Sequence, residues 1–248
     1  MGQPGKYLYG IIGETHERHF AAPSMGGRGD VISTLGYQGI SAVISDTPIA
    51  PYPPTPENLI CHERAIETVM QEYTILPFRF CSIATHADEI RTILKKRYAE
   101  FKGLLRDMDN KIELGVSAHW KDMETLFHEV QKTPLVQNAQ MEWQHQKDRI
   151  SSKSALGKAV ETALEVKRRE EATPVLTLLS RLCVDQIEKE PRKEDMVINA
   201  VCLIDRTREK SFDFLMEELA ERYADRLQFA CVGPAPPFHF VSIEIASH

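Results

Sequence analysis

Thr55-Pro56-Glu57-Asn58-Leu59-Ile60-Cys61-His62-Glu63-Arg64-Ala65-Ile66-Glu67 runs on to Tyr73 and then into Ile75-Leu76-Pro77-Phe78-Arg79-Phe80. Thr55 suits an N-cap because its hydroxyl accepts an otherwise unpaired backbone N–H, Pro56 costs nothing at the first helical position, and Glu57 faces the positive end of the macrodipole. Leu59, Ile66, Met70 and Tyr73 recur at helical spacing, so the stretch predicts an amphipathic helix with His62 inside its apolar stripe. A strand is expected from Ile75 to Ile83, with Leu76, Phe78 and Phe80 on one face and Pro77, Arg79 and Cys81 on the other. Pro77 cannot donate a ladder hydrogen bond, which places that strand at an edge or puts a bulge in it.

Upstream, Lys6–Gly13 is rich in aromatic and β-branched residues and reads as a central strand, apolar on both faces. Glu14 to Gly36 carries Gly26-Gly27-Arg28-Gly29 and little periodicity, which predicts an exposed loop. It lacks the strand-to-helix junction and Lys-Ser/Thr of a phosphate-binding loop. Gly39–Ile49 is a second strand, followed by Pro51-Tyr52-Pro53-Pro54. Downstream, Ala87–Asp109 is a long amphipathic helix and Lys111–Trp120 an alternating strand. Residues 6–120 therefore predict β-β-α-β-α-β, a ferredoxin-like open-faced sandwich with both helices on one face of an antiparallel sheet.

Residues 121–192 read as helical, with a break at Lys132-Thr133-Pro134. Ala155–Arg169 and Val175–Glu190 are two helices, or one long helix kinked at Pro174. Met196–Asp205 is a buried-type strand, Thr207–Arg226 a helix, and Leu227–Val232 another strand. Gly233-Pro234-Ala235-Pro236-Pro237-Phe238-His239-Phe240 is expected to leave the sheet and run extended, with a terminal strand over Val241–Ile245. The expected fold is α+β in two domains, 1–120 ferredoxin-like and 121–248 helix-rich with a small antiparallel sheet and a Pro-rich tail.

The 248 residues are 42% hydrophobic and 27% charged, ordinary for a globular protein. Thirty Lys and Arg against 36 Asp and Glu argue against a nucleic-acid partner, since phosphate neutralisation drives such binding. No apolar run is long enough for a membrane span, and five cysteines without metal spacing read as reduced thiols of a cytosolic protein. His16-x-x-His19 has no supporting ligands, so no metal site follows.

His62-Glu63 invites a general-base reading, yet adjacent helical residues point about 100° apart. A packing histidine is the competing reading, with His62, Glu63 and Arg79 as a polar network fixing helix against strand. No nucleophile elbow or dinucleotide fingerprint is present, so neither catalytic residues nor a cofactor are expected. An enzyme would require His62, Glu63 and His119 to converge in a polar cleft. The other functional signal is aromatic: Tyr52, Phe238 and Phe240 stand beside prolines, where they present rigid apolar surface at low entropic cost. They serve either a partner interface or burial of the tail against the chain's own first domain.

Several motifs together carry a resemblance. Tyr7-Leu8-Tyr9-Gly10-Ile11, Ile40-Ser41-Ala42-Val43-Ile44-Ser45-Asp46, His62-Glu63-x-x-Ile66-Glu67 and Leu76-Pro77-Phe78-Arg79-Phe80 lie in the first half. Asn199-Ala200-Val201-x-Leu203-Ile204-Asp205-Arg206 and Val232-Gly233-Pro234-x-Pro236-Pro237-Phe238-x-Phe240-Val241 lie in the second. In this order they resemble the gas vesicle protein F/L family. Cys81 and Thr85 depart from it, standing where a turn with Gly and Glu is expected. The resemblance implies a non-enzymatic accessory protein, cytoplasmic before assembly and then part of the gas vesicle, whose partners are the small hydrophobic shell protein and other accessory proteins. With it, Tyr52, Phe78, Arg79, Phe80, Phe238 and Phe240 become the expected partner-binding residues. The competing class is a ferredoxin-like small-molecule-binding regulator.

Overall fold

The computed structural model describes residues 4–26, 29, 31–145, 149–241 and 243. Gly27 and Arg28 of the glycine-rich run, and the end of the expected terminal strand, lie outside these. The fold is mixed α and β with antiparallel sheets. It comprises two compact units, the first formed by residues up to Glu113 and from Pro234 onward, the second by Leu114–Gly233. The division falls at Glu113, seven residues before the expected boundary, and the Pro-rich tail belongs with the first unit.

In the first unit, β1 (Pro4–Ile12), β2 (His19–Phe20), β3 (Ile32–Tyr37), β4 (Ile40–Pro48) and β5 (Ile75–Pro77) form a sheet in the order β2-β3-β4-β1-β5, with β6 (Ile83–Ala84) also paired to β1. The segment expected as a loop thus holds two strands. β3 pairs antiparallel with β4 from Ser33↔Ile44 to Tyr37↔Ile40, through a turn in which Gln38 and Gly39 both take positive φ.

β1 is central and its side chains alternate between two cores. Tyr7, Tyr9 and Ile12 pack with Ala65, Ile66 and Val69 of α1 (Pro56–Met70). Leu8 and Ile11 pack with Ile90 and Leu94 of α2 (Ala87–Lys96) and with Phe101 and Leu105 of α3 (Tyr98–Asp107). Helices therefore cover both faces, which corrects the open-faced arrangement with both helices on one side. A strand buried on both faces needs a helix on each to exclude water from it.

α1 begins as its sequence dictates, the Thr55 hydroxyl accepting from the Asn58 N–H. The single helix expected over Ala87–Asp109 breaks at Arg97, whose φ of −106° and ψ of 18° end α2 and open α3. β5 is an edge strand, as Pro77 requires, and is far shorter than the expected Ile75–Ile83. Past Phe78 the chain turns, with Cys81 at φ 65°, before rejoining the sheet as β6. The tail is not extended throughout: Val241 N–H donates to the Pro237 carbonyl across a turn, and Ile243 then bridges Phe78 in parallel.

The second unit is built on a sheet ordered β10-β7-β9-β8, from β7 (Lys111–Trp120), β8 (Cys183–Glu188), β9 (Met196–Asp205) and β10 (Leu227–Ala235). Its helices are α4 (Met123–Gln131), α5 (Pro134–His145), α6 (Arg149–Ser180) and α7 (Glu209–Arg222). α6 runs unbroken through Pro174, and the expected helix over Val175–Glu190 stops at Ser180, leaving Cys183–Glu188 as strand.

Arg226 ties this unit together. Its guanidinium makes two hydrogen bonds to Glu129, at 2.9 and 2.8 Å, and reaches Glu171 at 2.7 Å, while Glu171 also accepts from the Trp120 indole at 2.7 Å. The fork geometry needs arginine rather than lysine. Arg226→Met should leave both carboxylates short of a partner and destabilise the unit by about 2 kcal/mol, below the fully buried case because the site is partly solvated. Chemical denaturation of the variant checks this; an unchanged midpoint would mean that the cluster contributes only surface charge.

Candidate functional site

His62 lies on the face of α1 turned to β1 and is buried. Its Nδ1 shares a hydrogen bond of 3.1 Å with the Tyr7 hydroxyl, which also accepts the Cys81 N–H at 2.8 Å. Three rings surround the imidazole: Tyr7 edge-on at 5.7 Å, Tyr9 stacked at 6.0 Å and Phe80 edge-on at 5.7 Å. Nε2 makes no hydrogen bond of acceptable geometry. Burial lowers the His62 pKa from 6.5 to about 4, with the Phe78 backbone opposing the shift. Burial likewise pushes the Tyr9 phenol up to about 12 and the Tyr7 phenol further, so all three groups are neutral near pH 7.

A neutral imidazole set among phenols that are also neutral is a core-packing group. Glu63 and Arg79 are both exposed, and the hydrogen bond of His62 Nδ1 runs from α1 to Tyr7 on the strand that faces it. His119 lies in the second unit, 3.2 Å from Asp195. Among the described residues, no three His, Cys, Asp or Glu side chains group to hold a metal.

Three of the aromatics singled out in the sequence pack against this one core. Tyr52, Phe80 and Phe238 are all partly buried against the cluster that contains Tyr7 and Tyr9. Tyr52 is pinned by its hydroxyl to Thr47 and by its N–H to the Cys81 sulfur at 3.3 Å, so the Pro51–Pro54 run is held against the turn that presents Phe80. Phe238 arrives on the folded-back tail. Phe240 is half-buried and joins neither core. Phe78 departs from expectation: it is 1% exposed and belongs to the opposite core with Leu8 and Leu76, because the strand ends after Pro77 and the turn throws Phe80 to the other side. It is therefore a packing residue, unavailable to a partner.

One contact could not be read from spacing. The buried carboxylate of Glu113 accepts the His239 N–H at 2.9 Å and contacts its ring Nδ1 at 2.5 Å, fastening the tail that carries Phe238. A carboxylate inside an alternating strand was the available signal, since a buried charge requires a partner.

The family of gas vesicle synthesis proteins GvpL/GvpF matches residues 5–242. The chain belongs to this family. Gas vesicle protein F of Streptomyces sp. strain CB03234 is 26% identical over 95% of the chain and 98% of that protein, and gas vesicle protein F1 of Halobacterium salinarum is 23% identical over 97% and 94%. The fold is that of the crystal structure of gas vesicle protein GvpF from Anabaena sp. PCC7120, with a TM-score of 0.83 at 21% identity, covering 97% of this chain and 99% of that one. The GvpF structure from Microcystis aeruginosa aligns at 0.82. Membership of the GvpL/GvpF family places the protein in gas vesicle biology. Among the described residues no helix is long and apolar enough to cross a membrane.

Proposed function

We propose that this protein is a non-enzymatic accessory protein of gas vesicle assembly that binds the small hydrophobic shell protein through the aromatic rim of its first unit. The observation that carries the reading is the convergence of Tyr52, Phe80 and Phe238 on one cluster from three separate segments. Partly exposed aromatics on rigid supports are side chains well suited to meet an apolar partner, because they bury large area with few rotors to freeze. Family membership and the names of the relatives support the gas vesicle setting. The neutral, enclosed state of His62 supports a binding role over catalysis. The site of action is then the growing vesicle, with further accessory proteins as secondary partners.

The test uses the full chain. Phe238→Lys puts a charge on the rim and should lower capture of purified shell protein at least tenfold; because Phe238 also packs on the core, Phe238→Leu, which keeps apolar packing and removes the ring, is measured beside it at a temperature where both variants are folded and should weaken capture less. Capture equal to wild type would remove the rim from the interface.

A further inference from the structure

All five cysteines are free thiols, and two of them meet in the second unit. Cys183 opens the edge strand β8, and Cys202 lies fully buried on β9 beside it. The ladder pairs Cys183 with Ile204 and Gln186 with Cys202, and its register shifts between Cys183 and Asp185, where Val184 is the extra residue of a bulge. Cys183 and Gln186 are partly buried while Val184 and Asp185 between them are exposed, so the bulge turns Cys183 to the face that carries Cys202. The two sulfurs are hydrogen-bonded to each other. Cys183 donates its own proton to the Leu179 carbonyl at 3.1 Å, so the proton between the sulfurs is that of Cys202. That bond draws the Cys183 thiol below its ordinary range, against burial and the nearby Asp185, and holds the Cys202 thiol up. Cys183 is thus the member that ionises, and it is also the one partly open to solvent. A reachable sulfur backed by an enclosed one is the arrangement that captures a sulfenic acid before further oxidation.

We propose that Cys183 and Cys202 are a peroxide-responsive pair that closes reversibly to a disulfide. The Cys183 thiolate attacks one oxygen of hydrogen peroxide; the O–O bond breaks, the sulfur keeps a hydroxyl as sulfenic acid, and the departing hydroxide takes the proton that Cys183 released and leaves as water. The Cys202 thiol then attacks that sulfur; the S–S bond forms as the S–O bond breaks, and the hydroxide leaves with the Cys202 proton as a second water. Two thiols are oxidised to one disulfide and one peroxide is reduced. The sulfurs must close to about 2.05 Å, and the bulge gives β8 backbone freedom that a regular ladder lacks. The product fastens the edge strand to the sheet. Cys231 is exposed on β10, with β7 between it and β9, so it is no competitor for Cys202. The pair belongs to the second unit, and its oxidation is independent of shell-protein binding by the first.

The test exposes the full chain to a small molar excess of hydrogen peroxide and counts thiols after unfolding. The count should fall from five to three, a non-reducing peptide map should show Cys183 joined to Cys202, and dithiothreitol should restore all five. This link should form at least tenfold faster than any other thiol is lost. Cys183→Ser should form no intramolecular disulfide, and Cys231→Ser should form the same link as wild type. A link through a different cysteine, a sulfinic acid at Cys183 without a link, or loss of all thiols at equal rates overturns the proposal.

Discussion

Gly10→Ala should destabilise the first unit by about 3 kcal/mol, a large part of the 5–15 kcal/mol that separates folded from unfolded domains. Gly10 sits in the central strand just past a register shift, opposite Val43 on one side and Pro77 on the other. A Cβ there would lie 2.6 and 2.7 Å from two Ile75 side-chain carbons and 2.7 Å from the Leu76 carbonyl oxygen. Ile75 can shift its side chain, but the carbonyl belongs to the backbone of the paired strand, so relief requires β5 to move away from β1. That displacement also disturbs Phe78, whose N–H donates to the Tyr9 carbonyl at 2.9 Å. Gly13→Ala is the control, since its Cβ would meet only a Leu105 methyl at 3.9 Å, an ordinary contact. Urea denaturation of the two variants should separate them clearly; equal midpoints would show that the strands part at little cost.

His62 sets the second large effect, which is a dependence on pH. The unfolded chain takes up a proton at about 6.5, whereas the folded protein refuses it until about 4. Stability from this group is complete above 6.5 and falls as pH drops towards 4, because in that interval the unfolded state binds more protons. The span corresponds to about 3 kcal/mol. Glu14, held at about 2 by the His16 and Thr15 N–H groups, contributes in the lower interval beneath its ordinary 4.5 and can be told apart. His62→Phe should flatten the pH dependence of unfolding between 6.5 and 4 while leaving Tyr7 its hydrogen bond from Cys81. A slope equal to that of wild type would assign the dependence to other groups.

Local chemistry made some of this architecture legible in the sequence. Thr55-Pro56-Glu57 starts α1 because capping depends only on neighbours, and Lys111–Trp120 is read in full because its alternation is unbroken. β3 escapes notice although Ile32 and Thr34 are both buried, since the nearby glycine cluster and Gly36 disguise a strand of six residues. Val175–Glu190 carries leucines at helical spacing up to Leu182, which masks the change to strand at Cys183. Tyr52, Phe80 and Phe238 could each be singled out by type and by neighbouring prolines, but that all three pack on one core, from segments 28 to more than 150 residues apart, depends on the tertiary fold. His62 was recognisable as a packing residue; its partner Tyr7, 55 residues away, was not.

The first unit is closed by a segment that follows the whole second unit in the chain. Val241 and Ile243 complete the core shared by Leu8 and Phe101, and Ile243 covers the sheet edge at Phe78. At about 5–20 residues per second, the roughly 130 residues between Glu113 and that segment take on the order of 6–26 s to emerge. During that interval the amino-terminal sheet has its apolar edge open, and the second unit, which ends at Gly233, is complete before the closing segment arrives. The order of completion on the ribosome is therefore the reverse of the order in the sequence.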